Sequence, residues 1–520
     1  MTGYSALHLD PEVSSWPTKL ARSADPKLQQ LRESARRRLV ESAEQYLARL
    51  SESVCTGGLK YAPASLLNGD PQTTPIVMTG HQPVMFHSGL TFKYETTEEF
   101  AARNGLIAVA VVIDTDEGDA GEFRYPAMQD SEKCMTAPVP QDQNAAAART
   151  ELSPVTELPL MITASASFGQ TTSLYAAGGL QPRAELHAVA SRVADSLISF
   201  GCLAEAERIQ HLTAEYARLQ ARSMAEANLI VRRNAGIGSR MLELPLSEIC
   251  GFPEVIAVIE EILARPVEFA QCYNDTLNAF RLEHKMNNEA NPFPNLQLES
   301  DECELPFWVV DHRRGTRTIL RVHNAGTAGS RAFIGPETQL VPRGAMITGM
   351  LRLLFSDLFI HGTGGGRYDR YTDQLIRAWW HVDPTPFAVA SASRYLFEQE
   401  RTELSRLQRI SDQLRDLQFN PQRHFGTGVF SSSLESALKA LVQQKDTAVE
   451  RMQQIRESGQ SARDIGRAIQ QVGDEIKSLV AAEFAEPLAR LRRLSEENIA
   501  VLNSRLWPWF FFNNQVTDGP

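Results

Sequence analysis

Residues 75 to 119 read PIVMTGHQPVMFHSGLTFKYETTEEFAARNGLIAVAVVIDTDEGD, and the fold follows from this stretch. Pro75 to Gly80 is a short apolar run that stops at a glycine. A loop, His81 to Gly89, follows it. Leu90 to Arg103 carries a helical pattern, and Asn104-Gly105 supplies the usual stop at a helix C-terminus. Leu106 to Ile113 is apolar at every position, as a strand buried on both faces requires. Strand, loop, helix and strand in succession make a βαβ unit, whose strands run parallel with a right-handed crossover. The second strand breaks off into Asp114, Thr115, Asp116, Glu117, Gly118 and Asp119 at the carboxyl end of the sheet. Ligands of open α/β sheets bind along that edge.

Outward from this unit the chain divides into six stretches. Residues 1–70 form an N-terminal segment whose helix, from Pro26 to Leu50, repeats leucine near the helical period at Leu28, Leu31, Leu39, Leu47 and Leu50. Its run Arg36, Arg37, Arg38 is either a phosphate-facing patch or solvated helix surface. Residues 71–125 are the first half of the core. Residues 126–325 read as an insertion, mainly helical, with a Gln/Ala-rich stretch at 141–148. It ends in a hairpin that turns at Arg314-Gly315. Residues 326–390 resume the core: a helix from Gly344 to Leu354, a strand from Ser356 to His361, a glycine loop, and a helix from Arg367 to Trp380.

Residues 391–506 change to long helices. Leu407, Ile410, Leu414 and Leu417 keep the alternating three–four spacing of a coiled-coil seam. So do Ile465, Ile469, Val472, Ile476 and Leu479, and an antiparallel coiled coil is expected. Its 17 basic and 16 acidic residues make a solvated surface rather than a nucleic-acid groove. The tail, 507–520, opens with WPWFFF and is too aromatic to stay in water, so it is expected to pack on the body or on a second subunit.

Composition sets the outer limits. The chain has 520 residues, with 52 basic against 63 acidic side chains and a net charge of −11. Apolar residues at 43% and charged residues at 22% are those of a folded globular protein, and exclude wholesale disorder and collagen-like repetition. The negative charge argues against a nucleic-acid partner. No apolar run reaches the ~20 residues of a membrane helix, so no membrane partner is expected. The start, MTGYS, lacks a basic then apolar leader. Cys55, Cys134, Cys202, Cys250, Cys272 and Cys303 stand at least 22 positions apart, without metal-ribbon spacing, and fit a reducing cytoplasm.

Three clusters carry candidate chemistry. The first is the loop Gly80, His81, Gln82 through His87, Ser88 and Gly89, at a helix start that favours phosphate. Its imidazoles either donate to a transferring phosphoryl or adenylyl group or merely satisfy loop backbone groups. Lys93, one turn along the helix, either reaches the same phosphates or lies on the surface. The second is Asp114, Asp116, Glu117 and Asp119, whose mutual repulsion is relieved by Mg²⁺, a substrate amine or a sugar's hydroxyls, unless the turn is simply solvated. The third is His361, Gly362, Gly364, Gly365, Gly366, Arg367 and Tyr368, where repeated glycine allows close backbone approach and Arg367 suits a phosphate or carboxylate.

Two segments carry a resemblance. TGHQPVMFHSGLTFK, from Thr79 to Lys93, followed by a buried strand and an acidic turn, resembles the cysteine-adding ligase family of bacillithiol biosynthesis (BshC). LVPRG at 340–344, leading to FIHGTGGGRY at 359–368, resembles that family's second signature. His87-Ser88-Gly89 also partly matches the HxGH motif of class I synthetases, with Leu90 in place of the second histidine. The resemblance implies a Rossmann-like core of the class I synthetase and nucleotidyltransferase kind, a connective-peptide-like insertion, and a homodimer joined by the coiled coil. It implies a ligase that adds cysteine to glucosaminyl malate, with ATP activating the carboxylate. Three departures fall on the site: His81 replaces a glutamine, DTDEGD differs from the usual acidic turn, and GGGR replaces a GPGE-type loop.

The expected site then has His81, His87 and Asp116 as catalytic residues. Gly80, Gln82, Ser88, Gly89 and Lys93 would bind nucleotide or substrate. Asp114 and Asp119 would hold Mg²⁺ or the amine, and His361 through Tyr368 would face the ligand's other side. The alternatives are a related nucleotidyltransferase or ligase with another small substrate, and a nucleotide-binding coiled-coil dimer without turnover.

Overall fold

The computed structural model describes residues 4–20, 26–52, 69–128, 161–170, 174–286, 293–324, 333–335, 337–458 and 460–512. The Gln/Ala-rich stretch 141–148, Cys55 and Cys134 lie outside them. The strands are β1 (Ala6–Asp10), β2 (Ile76–His81), β3 (Ile107–Val112), β4 (Glu122–Met128), β5 (Met161–Ser167), β6 (Leu242–Pro245), β7 (Glu302–Asp311), β8 (Thr316–His323), β9 (Thr338–Pro342), β10 (Leu358–His361) and β11 (Phe387–Ser393).

The central sheet is mixed and mainly parallel, in the order β1-β11-β10-β2-β3-β6. Only β1 runs antiparallel, against β11. The all-apolar β3 is buried at each of its positions, which is why it alternates with nothing polar. β2 pairs with β3 from Ile76↔Ile107 to His81↔Val112, and with β10 at Leu358↔Val77. The chain thus moves outward from β2 to β3 and β6, then returns to lay β10 on the other side of β2. The strand order reverses between β2 and β10, which is where open α/β sheets leave a crevice.

Strand alternation sorts the side chains between two faces. Ile76, Met78, Ile107, Val109 and Phe359 join one large core with Leu354, Tyr371 and Leu375 from the helices Ala345–Leu354 and Thr363–Trp380. The helix Ser88–Asn104 covers the opposite face and ends at Gly105 with φ 63°. The helix Pro26–Glu52 forms as its leucine pattern predicts. Its basic run is divided: Arg36 is buried against protein, whereas Arg37 and Arg38 lie on the exposed side of the helix. Arg36 binds the buried Asp357 at 2.6 Å, and Arg38 binds Glu254 at 3.0 Å.

One expectation about the insertion changes. Residues 126–325 do not stand wholly apart from the core, because β6 within them is the sheet's edge strand beside β3. Its sequence, LELP, is four residues long with a central glutamate, too short and too polar to register as a strand. Glu243 is tolerated there because Arg232 and Arg233 both bind it. The hairpin of β7 and β8 is present, turning through Gly315 at φ 64°, and β9 extends it to a three-stranded sheet.

The chain forms two compact units: Met1–Tyr125, Ala164–Arg394 and Arg505–Pro520, and then Pro126–Thr163 with Tyr395–Ser504. In the second, the helices Glu398–Phe419, Ser432–Glu457 and Arg463–Arg493 share a core. Ile410, Leu417, Leu434, Leu438, Val472, Ile476 and Val480 build it. Among the described residues no helix is long and apolar enough to cross a membrane.

Candidate functional site at the carboxyl edge of the sheet

The first candidate loop leaves β2 beside the point where the strand order reverses. The glycines at its two ends serve packing. A Cβ on Gly80 would stand 3.0 Å from the Val111 carbonyl oxygen, and one on Gly89 would stand 2.9 Å from Ser391 Oγ. His87 caps the helix Ser88–Asn104: its Nδ1 accepts the Gly89 N–H at 3.1 Å. That bond fixes the neutral tautomer, so Nε2 carries the proton and remains a donor. His81 lies with Nδ1 3.2 Å from the Gln82 carbonyl, which leaves Nε2 as its acceptor. Ser88 is buried, and its Oγ accepts the Arg394 N–H at 3.1 Å.

Lys93 is not on the surface. It is 2% exposed, and Nζ reaches across the loop to β2, donating to the Gly80 carbonyl at 2.7 Å. Among the described residues no carboxylate lies within ion-pair distance of it. Burial alone pushes its pKa down to about 7. Burial, then the Lys93 charge, lowers His81 to about 3. Burial, then Arg505 and Lys93, lowers His87 to about 4. Three bases therefore stand together at the crevice, each with its charged form disfavoured by burial.

The acidic turn already holds its cation. Arg317, from β8, binds Asp116 and lies 3.6 Å from Glu117, with its guanidinium over the Trp308 ring at 4.3 Å. Gln82 Nε2 donates to the other Asp116 oxygen at 3.1 Å, tying the turn to the first loop. Asp114 accepts from Ser247 N–H at 3.0 Å and from Ser247 Oγ, at the first turn of the short helix Leu246–Ile249. Asp119 accepts from Gly121 N–H at 2.8 Å. The carboxylates expected to hold Mg²⁺ or an amine are thus committed to the chain's own donors. Among the described residues no group of three His, Cys, Asp or Glu side chains has metal-binding geometry. The turn therefore does not fit Mg²⁺.

The third candidate is the first turn of a helix rather than a loop, since the helix starts at Thr363 with Gly362 as N-cap. Two of its glycines answer to packing. A Cβ on Gly365 would lie 2.6 Å from His361 Nδ1, and one on Gly366 would overlap Val389. Gly362 and Gly364 face open space, and Arg367 is exposed. Tyr368 is half-buried against Phe293, with ring centroids 5.9 Å apart. His361 is buried and bonds through Nε2 to Asp369 at 2.8 Å. Burial works to raise the Asp369 pKa, but Arg352 at 2.6 Å and His361 outweigh it and hold it well below the usual range.

The three candidates share one edge of the sheet, yet they do not converge on one point. β10 register places His361 level with Gly80, so its side chain falls on the face opposite that of His81. His81 and Gln82 instead line a cleft with residues that local pattern did not single out, among them Asn228, Arg232, Glu243 and Trp509. Arg232 lies over the Tyr94 ring at 4.7 Å and binds Glu243. The aromatic tail does pack on the body: the Trp509 N–H donates to the Phe86 carbonyl, and Pro508 bridges His87. Arg232 and Asn228 sit on the helix Met224–Asn234, whose proximity to residues 81–87 no local signal encodes. No protein-family model and no curated protein matches the chain.

Proposed function

We propose that the chain is a carbon–nitrogen ligase of low-molecular-weight thiol synthesis, which activates the carboxylate of cysteine with ATP and joins it to an amino-sugar conjugate such as glucosaminyl malate. One observation carries the reading: Lys93 is buried without a carboxylate partner beside His81 and His87, where the strand order reverses. A lysine so placed is costly unless an anion completes it. The resemblance of residues 79–93 and 340–368 to the bacillithiol ligases supplies the substrate class. In this reading the core is Rossmann-like and the three long helices are an antiparallel coiled coil.

ATP would set its phosphates against His87, Lys93 and the crevice, and would supply the group that activates the carboxylate. His87 donates through Nε2 while neutral, so it can hold a phosphate oxygen without first gaining a proton. Lys93 gains its proton as negative charge arrives, and its charge then opposes the charge developing at the phosphate in the transition state. Gln82 holds the loop to Asp116, and Arg317 fixes Asp116, so the turn orients the loop rather than taking part in proton transfer. Gly364 and Arg367, exposed, and the half-buried Gly362 stand at the same edge for the ligand's more distant part.

The departures at His81 and in the acidic turn favour a second reading of the same chemistry, a related ligase with another acceptor amine. The purified protein with ATP, cysteine and glucosaminyl malate tests the first. Product formed only with all three supports it. A deletion strain that keeps its bacillithiol-type pool and accumulates no glucosaminyl malate overturns it in favour of the second. If His81→Ala leaves every ligase activity unchanged, a non-catalytic nucleotide-binding dimer replaces both.

A further inference from the structure

The helix Thr363–Trp380 begins at the carboxyl end of β10, beside the reversal of strand order. It lies on the face of the sheet opposite the helix Ser88–Asn104. Its start is uncapped: the N-cap is Gly362, which has no side chain to accept a hydrogen bond where serine, threonine, aspartate or asparagine usually serves. The Gly366 N–H bonds back to the Gly362 carbonyl at 3.0 Å. Among the described residues the N–H groups of Thr363, Gly364 and Gly365 have no acceptor. No atom stands over Gly362 or Gly364, so a ligand reaches this backbone directly.

The side chains make the same turn electropositive. It carries no acidic residue, although the positive end of the helix dipole favours one there. Arg367 is exposed and has no ion-pair partner among the described residues. It stands one turn above Thr363 and Gly364, on their side of the helix, and helical side chains lean towards the N-terminus. A cation so placed opposes the dipole unless an anion lies between them. His361 gives an observation independent of the helix. It is 6% exposed, and Nε2 is bonded to Asp369 at 2.8 Å. Its Nδ1 has no partner among the described residues and faces the first turn, where a Cβ on Gly365 would stand 2.6 Å away. Asp369 does not answer these donors, because Thr348 at 2.5 Å, Arg352 at 2.6 Å and His361 already occupy it.

We propose that this helix start is an oxyanion site apart from the Lys93 crevice, and that it takes a phosphate group held by the first-turn N–H groups, Arg367 and His361. The donors favour phosphate over carboxylate. Three adjacent N–H groups and a forked guanidinium exceed the about four lone-pair positions of a carboxylate and suit the oxygens of a phosphate. His361 meets phosphate in either state: protonated, Nδ1 donates to an oxygen; neutral, it accepts from a phosphate hydroxyl. The site goes beyond the ligase reading, which sets the phosphates of ATP against His87 and Lys93 on the other face.

The test is calorimetric titration of inorganic phosphate into the full-length Lys93→Met variant, whose crevice has lost its cation, at constant pH and ionic strength. A single phosphate is expected to bind. Arg367→Ala in that background should weaken it at least about fivefold, with Arg367→Lys, which keeps the charge but not the fork, in between. His361→Gln should weaken it too while the melting temperature holds, because glutamine keeps a donor to Asp369 and lacks the second ring nitrogen. Acetate should bind more weakly than phosphate. Glycerol phosphate separates the sources: binding as tight as that of phosphate assigns the site to a phosphorylated ligand, and rejection assigns it to the free ion. Lys93→Met protein that binds no phosphate overturns the proposal. So does an affinity indifferent to Arg367→Ala or to His361→Gln, or acetate bound as tightly as phosphate. The ligase reading fails separately: phosphate bound here with no ATP-dependent product keeps the site and rejects the ligase, whereas product formation with no phosphate bound here does the reverse.

Discussion

Lys93 shows how one buried residue couples binding to protons. Its pKa in the folded chain is about 7, against 10.5 for the free side chain. Between these values the unfolded chain holds a proton that the folded chain lacks, so this residue makes stability rise with pH across that window. An anion at the crevice reverses the balance by drawing a proton back onto the amine. ATP binding at pH 8 is therefore expected to take up close to one proton, read as a dependence of the binding heat on buffer ionisation enthalpy. Lys93→Met should remove that uptake and weaken binding at least about tenfold, while leaving the fold as stable as before or more so, since it removes an incompletely bonded amine. Uptake that persists in Lys93→Met would assign the proton to another group. The Asp114 carboxylate gives the contrasting case. Asp114→Ala leaves the Ser247 N–H and hydroxyl, at the start of the helix Leu246–Ile249, without their acceptor and should cost about 1–3 kcal/mol in denaturant unfolding. Nucleotide affinity should stay unchanged. Sequence placed both residues on the right elements but not in the right company. Whether a lysine on a helix is wet or buried depends on what covers that helix, and the cation answering the acidic turn comes from Arg317, two hundred positions away.

The elements were more legible than their contacts, and the glycine-rich helix start shows why. Four glycines in five residues signalled a close approach, and two of them have one, to the protein's own His361 and Val389. The other two face open space. Substitution distinguishes the pairs. Gly366→Ala drives a methyl into Val389 and should destabilise by about 1–3 kcal/mol. Gly364→Ala meets nothing, sits in a helix, and should stabilise by up to about 1 kcal/mol. If Gly364 lets a ligand approach the backbone, that same variant loses ligand affinity while its melting temperature rises, a combination that packing alone does not produce. Unchanged affinity in a stabilised Gly364→Ala would make this helix start purely structural. The parallel core was readable because β3 is apolar throughout, whereas the edge strand β6 was not, since a glutamate held by two arginines breaks its pattern. The single site expected from three neighbouring loops became two faces because strand register decides side-chain direction. Register is a property of pairing, absent from any one strand's sequence.

At the scale of the whole molecule, the helical unit poses the question of assembly. The three–four spacing read from sequence runs from Ile465 to Leu479, but its burial is uneven. Val472, Ile476 and Val480 are buried in the core shared by the three helices. Ile465 and Ile469 are half-exposed, as is Ile455, and Val449 is 39% exposed. The start of Ser432–Glu457 meets the later part of Arg463–Arg493, where the Ser431 N–H donates to Glu483. The shared core therefore occupies the end of the hairpin away from its turn, and the apolar repeat continues past it towards residues 458–462. An apolar repeat that outlasts its own partners has the spacing to pack against a second copy. The chain is accordingly expected to sediment at twice its monomer mass at micromolar concentration. The double substitution Ile465→Asp with Ile469→Asp should shift it to monomer with little loss of helical signal, because the buried positions from Val472 onward are untouched. Charge at Val472 should instead unfold the unit, since that position has no water to reach. A wild-type monomer at those concentrations would leave the exposed repeat without a partner of its own kind. A dimer unaffected by the double substitution would move the contact to another surface.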